Sequence, residues 1–345
     1  MRDSPIFLRI NLYNPQTLFI STLDKNTKKG LLTGIIGVIF VGLQAVLTQL
    51  RPPSVDAYLS GAMTCLVETI IFFPIMLIEF RFMNSSTQKL NNQENQRNRG
   101  HFLKSWKKNK WMLLFIGILF AVNQVFFFVG YTLSEVINGS LTQKTTVFFG
   151  IILGYLVLKE RVTKLQIIFS FVLFFGLAIS ITQFFTLVNV NNTVLIGVGI
   201  ILLITFLWMV GHTFTKPIFS RNEATPIQMV FIRNFISSVI LLSTYLIFFI
   251  PDLTIFINPI NLLFFLTMGS VYGAGLVCWY LTLSSLDVSK ATIIFAPTPI
   301  SSAIFAIFIL GSSFTIANLV GTVVIIVSII VIVNQKDNEK IIKKV

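Results

Sequence analysis

Two copies of one stretch of sequence decide the fold. Residues 131–163 read YTLSEVINGSLTQKTTVFFGIILGYLVLKERVT, and residues 283–315 read LSSLDVSKATIIFAPTPISSAIFAIFILGSSFT. The two copies align without a gap at an offset of 152 residues, and this alignment matches Thr146 to Thr298. In each copy a short polar hinge leads into an apolar span whose first half is rich in hydroxyl or amide groups, and a second apolar span follows. The pattern indicates an internal repeat.

Apolar segments surround both copies. The chain is 54% hydrophobic and only 11% charged, a balance that no soluble core could bury. Ten segments are each about 20 residues long, which corresponds to about 30 Å of helix, the thickness of a bilayer core. We predict an all-α integral membrane protein with ten transmembrane helices. The predicted spans are residues 31–50, 57–80, 111–131, 137–158, 165–185, 194–214, 227–250, 261–283, 291–310 and 314–333.

The basic residues predict the orientation. Of the 26 Lys and Arg, twenty-three fall in the termini and alternate connections, Arg51 is in a connection on the other side, and Lys144 and Arg233 are inside spans. Because connections rich in basic residues stay in the cytoplasm, we predict a multi-pass protein of the cell membrane with both termini cytoplasmic. Topology and contact with anionic lipid then account for the net charge of +13, so no nucleic-acid partner is predicted.

The number of spans in each half of the chain predicts how the two halves are oriented in the membrane. Five spans per half is an odd number, so the halves insert with opposite orientations as two inverted five-helix repeats. This architecture allows a central site to open to either side of the membrane. The predicted divisions are a cytoplasmic leader at 1–30, a first repeat at 31–185 with a long inner loop at 81–110, a second repeat at 194–333 and a basic tail at 334–345.

The region 31–333 resembles the drug/metabolite transporter superfamily in its ten-span form, which is made of two EamA-type halves. The segment LGYLVLKE at 153–160 is similar to the family's small-residue span with its Lys-Glu turn, and APTPI at 296–300 resembles the proline-bearing equivalent. The sequence departs from the family at Ser312, where Glu is frequent, and at Val147, where Pro is common. The resemblance implies secondary transport of small metabolites or drugs, frequently export.

Lys144 is the first candidate for a substrate-binding residue. It lies about 10 Å inside its predicted span, where an unpaired lysine costs about 3 kcal/mol. Asn138, Thr142 and Thr146 recur around it at four-residue spacing. Because a half-span that is polar on several faces cannot face lipid, we predict that Lys144, Thr142 and Thr146 border a wet, substrate-binding cavity. The alternative is a lysine whose long stem reaches the outer headgroups.

Two further charged residues lie within spans. Glu68 is about 16 Å into its span, near the bilayer midplane, where a carboxylate must be paired or neutral. It is therefore a candidate for proton coupling and substrate binding, or for a structural ion pair with Lys144 or Arg233. Arg233 is a candidate ligand for an anionic substrate, with contact to the cytoplasmic headgroups as the alternative.

Neutral residues complete the candidate site. Asn123 and Gln124, in the middle of a span, are predicted either to bind substrate or to join neighbouring helices by hydrogen bonds. Tyr280, beside Trp279, is predicted to form an aromatic wall for a ligand or else part of an interfacial belt. His212 is isolated, so neither a metal site nor a cofactor is predicted.

Two backbone features predict where helices approach each other or bend. Gly269 and Gly273 have the small-xxx-small spacing that allows close helix contact. Pro297 and Pro299 cannot donate backbone hydrogen bonds, so we expect a kinked span with freed carbonyl groups that would line a pathway.

These residues predict a secondary active transporter, not an enzyme. We expect export or exchange of a small organic metabolite by alternating access, with an anionic or amino-acid-like substrate and Glu68 as the candidate for proton coupling. The alternatives are efflux of drugs or lipophilic cations and, in another class, a non-transporting membrane scaffold or an intramembrane enzyme. An ATP-driven pump is disfavoured because the sequence has no G-x-x-x-x-G-K-[ST] loop. The predicted partners are the substrate and the lipid bilayer, and the sequence leaves a homodimer open.

Overall fold

The computed structural model describes residues 25–89, 101–158, 162–185, 191–221, 223–249, 253–286, 291 and 294–342. Within these ranges the chain is helical and contains no strand. The helices are α1 Lys25–Gln49, α2 Ala57–Lys89, α3 His101–Ser134, α4 Val136–Thr142, α5 Thr146–Leu158, α6 Lys164–Thr182, α7 Asn192–Ser220, α8 Pro226–Phe248, α9 Thr254–Ile257, α10 Pro259–Ser285, α11 Thr298–Leu310 and α12 Ile316–Ile342.

The helix lengths confirm the prediction of an all-α membrane protein. In the described part of the chain, eight segments are long and apolar enough to cross a membrane, and two shorter apolar helices begin at Thr298 and Ile316. This pattern is compatible with the ten predicted spans. Helix α2 extends to Lys89 and α3 begins at His101, so the ends of the predicted inner loop are helical. Helix α12 likewise extends into the predicted tail.

Some predicted features lie outside the described residues. These are the leader up to residue 24, the last two residues of the LGYLVLKE segment, and residues 287–290, 292 and 293 in the second copy of the repeat.

The two copies of the repeat form helices with the same boundaries. Helices α5 and α11 are offset by 152 residues at both ends, and the first residues of α6 and α12 have the same offset. The same cap begins the later pair: Thr163 and Gln166 exchange hydrogen bonds before α6. Thr315 and Asn318 do so before α12. This reciprocal capping satisfies amide groups that the first turn of a helix leaves unpaired.

The segment predicted as a span at 137–158 is confirmed as long and apolar enough to cross a membrane, but it is not one continuous α-helix. It is interrupted by a 3₁₀ turn at Gln143–Thr145, between α4 and α5. At the offset of 152, residues 295–297 form a turn directly before α11. Prolines account for the second interruption, whereas the first has no proline and places three consecutive polar residues in the turn. The sequence predicted a bend in the second copy but not its counterpart in the first.

Helices of one predicted half pack mainly on helices of the other. The pairs are α1 with α10 and α11, α2 with α8, α3 with α7 and α8, α5 with α7, and α6 with α12. Helix α10 also packs on α2. A Cβ atom on Gly269 would lie 2.6 Å from the Cβ of Val67, and one on Gly273 would lie 3.2 Å from the Cγ of Glu68. The close approach predicted for these glycines therefore brings α10 against α2 beside Glu68.

Candidate functional site

A cavity of about 100 Å³ lies inside the bundle. Its walls come from α1, α3, α7, α8 and α10 and from both interrupted spans. The lining combines aromatic side chains with two basic residues, Lys144 and Arg233, and contains no aspartate or glutamate among the described residues. The cavity therefore presents positive charge in a largely apolar surrounding.

Lys144 connects the two interrupted spans. Its side chain is only 6% exposed, and its Nζ donates a hydrogen bond of 2.8 Å to the backbone carbonyl of Phe295. That carbonyl also accepts hydrogen bonds from the backbone N–H and the Oγ1 of Thr298, and Pro299, four residues later, has no N–H to add to them. Within the described ranges, salt bridges under 4 Å are confined to Glu223 with its two basic neighbours, so Lys144 has no acidic partner there. The lysine points into the cavity and does not reach for headgroups.

The turn that carries Lys144 is fixed by its own polar side chains. Tyr131 donates its hydroxyl to Oε1 of Gln143 at 3.1 Å, and Thr145 bonds to the carbonyl of Thr142 at 2.8 Å. Thr146 lines the cavity, as predicted by its spacing from Lys144. Thr142 does not line it, because its hydroxyl bonds to the carbonyl of Asn138 one turn earlier.

Arg233 lies in the interior of the bundle. It is 2% exposed, and its guanidinium carbon lies 3.9 Å from the ring centroid of Phe120. Its Nη1 donates to the hydroxyl of Tyr280 at 3.5 Å, whereas its Nε has no partner. The geometry therefore does not fit the alternative of contact with headgroups. Tyr280 is 0% exposed, so it is not in an interfacial belt; it lies behind Arg233, and Trp279 lines the cavity instead.

Glu68 lies one layer behind the cavity. It is 0% exposed and does not line the cavity, and Asn234 donates a hydrogen bond to its Oε2. Its Oε1 has no hydrogen-bond partner. Glu68 and Arg233 interact electrostatically. Neither of the ion pairs considered from the sequence, with Lys144 or with Arg233, forms under 4 Å in the described structure.

The amides of Asn123 and Gln124 are buried in α3 but do not line the cavity. Both polar atoms of the Asn123 side chain and Nε2 of Gln124 lack hydrogen-bond partners among the described residues. The structure thus brings Lys144, Thr146 and Arg233 together, places Glu68 and Tyr280 behind them, and leaves these amides and Thr142 apart from the cavity.

Several lining residues were not identified from the sequence. Gln44 donates to the carbonyl of Tyr272 at 3.3 Å. It could have been found, because it is an isolated amide in an apolar span, the criterion that selected Asn123. Gln143 could have been found by its position next to Lys144. Phe120 and Trp208 could not have been selected in this way, because aromatic residues are frequent in the apolar spans of this chain, which has 35 phenylalanines and four tryptophans.

The described residues do not form a set of metal-ligating side chains. Among the described residues, no group of three or more His, Cys, Asp or Glu is placed to hold a metal ion.

Comparisons with known proteins give one consistent relationship. The model of the EamA-like transporter family matches residues 28–182 and 195–334. A curated relative from Methanothermobacter thermautotrophicus, described as an uncharacterized transporter, is 22% identical over 312 residues, which cover 88% of this chain and 85% of the relative. A crystal structure described only as that of a protein has a TM-score of 0.59 and 11% identity, with 88% of this chain and 97% of that chain covered. At that identity the likeness concerns the fold alone.

Proposed function

Because this chain belongs to the EamA-like transporter family and is a membrane transporter, we propose that it carries a small organic anion by alternating access, through export or exchange. The family relationship points to transport and away from catalysis. The substrate and the mechanism are argued from the cavity.

The observation that carries the proposal is the position of Lys144. A buried ammonium without an acidic partner is costly in a membrane, and among the described residues the Lys144 ammonium hydrogen-bonds to a backbone carbonyl of the other predicted half. An anion bound in the cavity would interact with the Lys144 ammonium and so offset part of the hydration free energy that the ammonium loses on burial. It would do so where two interrupted spans meet, which is the arrangement that secondary transporters use for substrate sites.

Reciprocal contacts between α6 and α12 support the proposed inverted repeat. Gln166 near the start of α6 donates to the carbonyl of Ile332. Asn318 near the start of α12 donates to the hydroxyl of Ser180. The offset of 152 residues converts each contact into the other, and the two helices run antiparallel. The packing of α1 on α10 and of α3 on α7 is exchanged in the same way.

The interaction of Glu68 with Arg233 supports coupling of transport to a proton. An ionised Glu68 offsets part of the charge of Arg233, so protonation of this carboxyl would raise the positive potential in the cavity. Proton binding and anion binding would then favour each other. We place the carrier in the cell membrane with both termini cytoplasmic, on the strength of the distribution of basic residues.

The charge of the cavity argues against the alternative of a lipophilic cation. Two cationic side chains line it, and the described lining provides no carboxylate that could receive a positively charged ligand. A cation would have to enter against this potential.

The test is counterflow in proteoliposomes with labelled lactate, glutamine and tetraphenylphosphonium as an anion, a zwitterion and a cation. We expect saturable exchange of the anion by the wild type and by Lys107→Gln, a control at an exposed lysine. Lys144→Gln should lose that exchange. Saturable exchange of the cation alone, or anion exchange that survives Lys144→Gln, would contradict the proposal.

A further inference from the structure

One wall of the cavity is made of a row of rings in tilted and edge-to-face contact. The Phe120 and His212 centroids are 5.6 Å apart, those of His212 and Trp279 are 5.3 Å apart, and those of Trp279 and Phe295 are 5.0 Å apart. These four residues, the aromatic wall, all line the cavity. Rings at such separations attract each other beyond what buried area alone provides.

A buried cation lies at each end of the aromatic wall. Arg233 lies over the ring of Phe120 at one end, and Lys144 bonds to the carbonyl of Phe295 at the other. The two cations differ in their surroundings. Glu68 acts electrostatically on Arg233, whereas the described part of the chain offers Lys144 no ion pair. The positive charge of the site is therefore less compensated at the Lys144 end than at the Arg233 end.

Buried polar groups along the aromatic wall also favour an anionic ligand. Among the described residues, the buried N–H donors Nε1 of Trp279 and Nε of Arg233 have no hydrogen-bond partner, and Nδ1 of His212 also lacks one. A buried donor without a partner loses its hydration. Oxygen atoms of a ligand would satisfy these donors. An ammonium group would not, because the described lining has no carboxylate.

We infer that the cavity takes a small organic monoanion with a planar, aromatic body, with its carboxylate or sulfonate at Lys144 and its ring against the aromatic wall. Aromatic amino acids, which carry a positive charge next to the carboxylate, are poor ligands. This inference rests on the proposed function and narrows its substrate class.

The first part of the test compares matched ligands by isothermal titration of the full-length protein in detergent. Benzoate and cyclohexanecarboxylate share charge and ring size, benzamide removes the charge, and phenylalanine adds the ammonium. We expect benzoate to bind about threefold to tenfold more tightly than cyclohexanecarboxylate, the range typical of one aromatic contact. Benzamide and phenylalanine should bind more weakly than either carboxylate.

The second part of the test uses variants of tryptophan. Trp279→Leu should reduce the preference for benzoate over cyclohexanecarboxylate to about one, because the ring is lost. Trp279→Phe keeps a ring and should retain the preference, which separates ring contact from loss of folding. Trp111→Leu, at a side chain that is 73% exposed, is the control and should retain it as well.

The outcomes separate this inference from the proposed function. Equal affinity of the wild type for the two carboxylates, with both weakened in Lys144→Gln, would overturn the aromatic substrate and leave the anion carrier standing. Phenylalanine that binds as tightly as benzoate would overturn the exclusion of zwitterions. Binding of tetraphenylphosphonium with no carboxylate bound would overturn both proposals.

Discussion

Helix α5 of the first interrupted span and helix α11 of the second have the same boundaries at the offset of 152, but the two breaks that precede them differ in chemistry. The first is broken by Gln143–Thr145, and its turn carries a charged side chain into the cavity. The second is broken at prolines, and it provides the Phe295 carbonyl, which accepts from Thr298 and from Lys144 and receives no N–H from Pro299. Each break thus supplies what the other lacks. The two copies share one backbone arrangement, but the first provides a charged donor and the second provides the carbonyl that accepts its hydrogen bond.

The largest effect should come from removing the charge from the first break. Lys144→Gln removes the charge and shortens the side chain by one atom, so at best a neutral donor faces the Phe295 carbonyl. Truncating one partner of a buried charged contact costs about 2 kcal/mol or more, so anion transport should fall at least about 30-fold. Initial rates of counterflow measure this.

The control for that loss is Lys107→Gln, which removes an exposed lysine and should leave the rate unchanged. Equal rates for Lys144→Gln and the control would mean that the difference in charge between the two breaks has no role in transport.

The next effect concerns the carbonyl of the second break. Pro299→Ala supplies an N–H that can compete with both Lys144 and Thr298 for the carbonyl of Phe295. The gain is about 1 kcal/mol for one hydrogen bond, so transport should fall about fivefold while thermal stability is kept or slightly raised. Transport rates and melting temperatures of the purified protein measure the two parts of this prediction.

Pro74→Ala is the matched control, because Pro74 is also inside a transmembrane helix but is exposed and far along the chain from both breaks. Loss of stability in Pro299→Ala, without any change in rate per folded molecule, would show that the proline serves folding only.

Much of this comparison could be predicted from the sequence. Pro299 located the second break by its missing N–H, and Lys144 stood out by its charge, but the 3₁₀ turn that carries Lys144 was not predicted. The aromatic wall could not be predicted, because rings on α3, α7 and α10 meet only through packing between halves. The place of Glu68 was also beyond the sequence. The depth of Glu68 in the membrane follows from its position in the span, but the direction in which its side chain faces depends on where α10 packs on α2.

An effect of opposite sign should come from the group behind Arg233. Glu68→Gln imitates the protonated carboxyl and removes a negative charge near the cavity. Anion affinity should rise on the order of tenfold, and its dependence on pH should become flat, because a charge about 10 Å away at intermediate dielectric is worth about 1.5 kcal/mol. Titrations of benzoate at several pH values measure both changes.

Glu79→Gln serves as the control on the same helix, since Glu79 accepts a hydrogen bond from Thr225 and does not line the cavity. It should retain the affinity and the pH dependence of the wild type. Unchanged pH dependence in Glu68→Gln would exclude Glu68 as the coupling group.

The smallest effect is expected far from both breaks, at Glu223. Burial alone would raise the pKa of this carboxyl, but hydrogen bonds from Lys108, Asn109 and Arg221 outweigh it and hold the pKa below its ordinary value. A lowered pKa means that the contribution to stability is present above the unfolded-state pKa and is lost as the pH falls through the folded-state pKa.

The Lys108 and Arg221 side chains are largely exposed, so the contribution of these ion pairs should be only a few tenths of a kcal/mol. Glu223→Gln should therefore lower the melting temperature slightly at neutral pH and not at all below about pH 3. A difference that persists in acid would assign the effect to packing and not to charge.

The most direct measurement is anomalous diffraction from crystals of the full-length protein grown with 4-bromobenzenesulfonate, a permanent monoanion with a heavy-atom label. We predict a bromine peak inside the cavity, against the aromatic wall, with the sulfonate within hydrogen-bond distance of Lys144 Nζ. Bromine peaks only at the surface of the bundle, with none in the cavity, would contradict an anion site where the two interrupted spans meet.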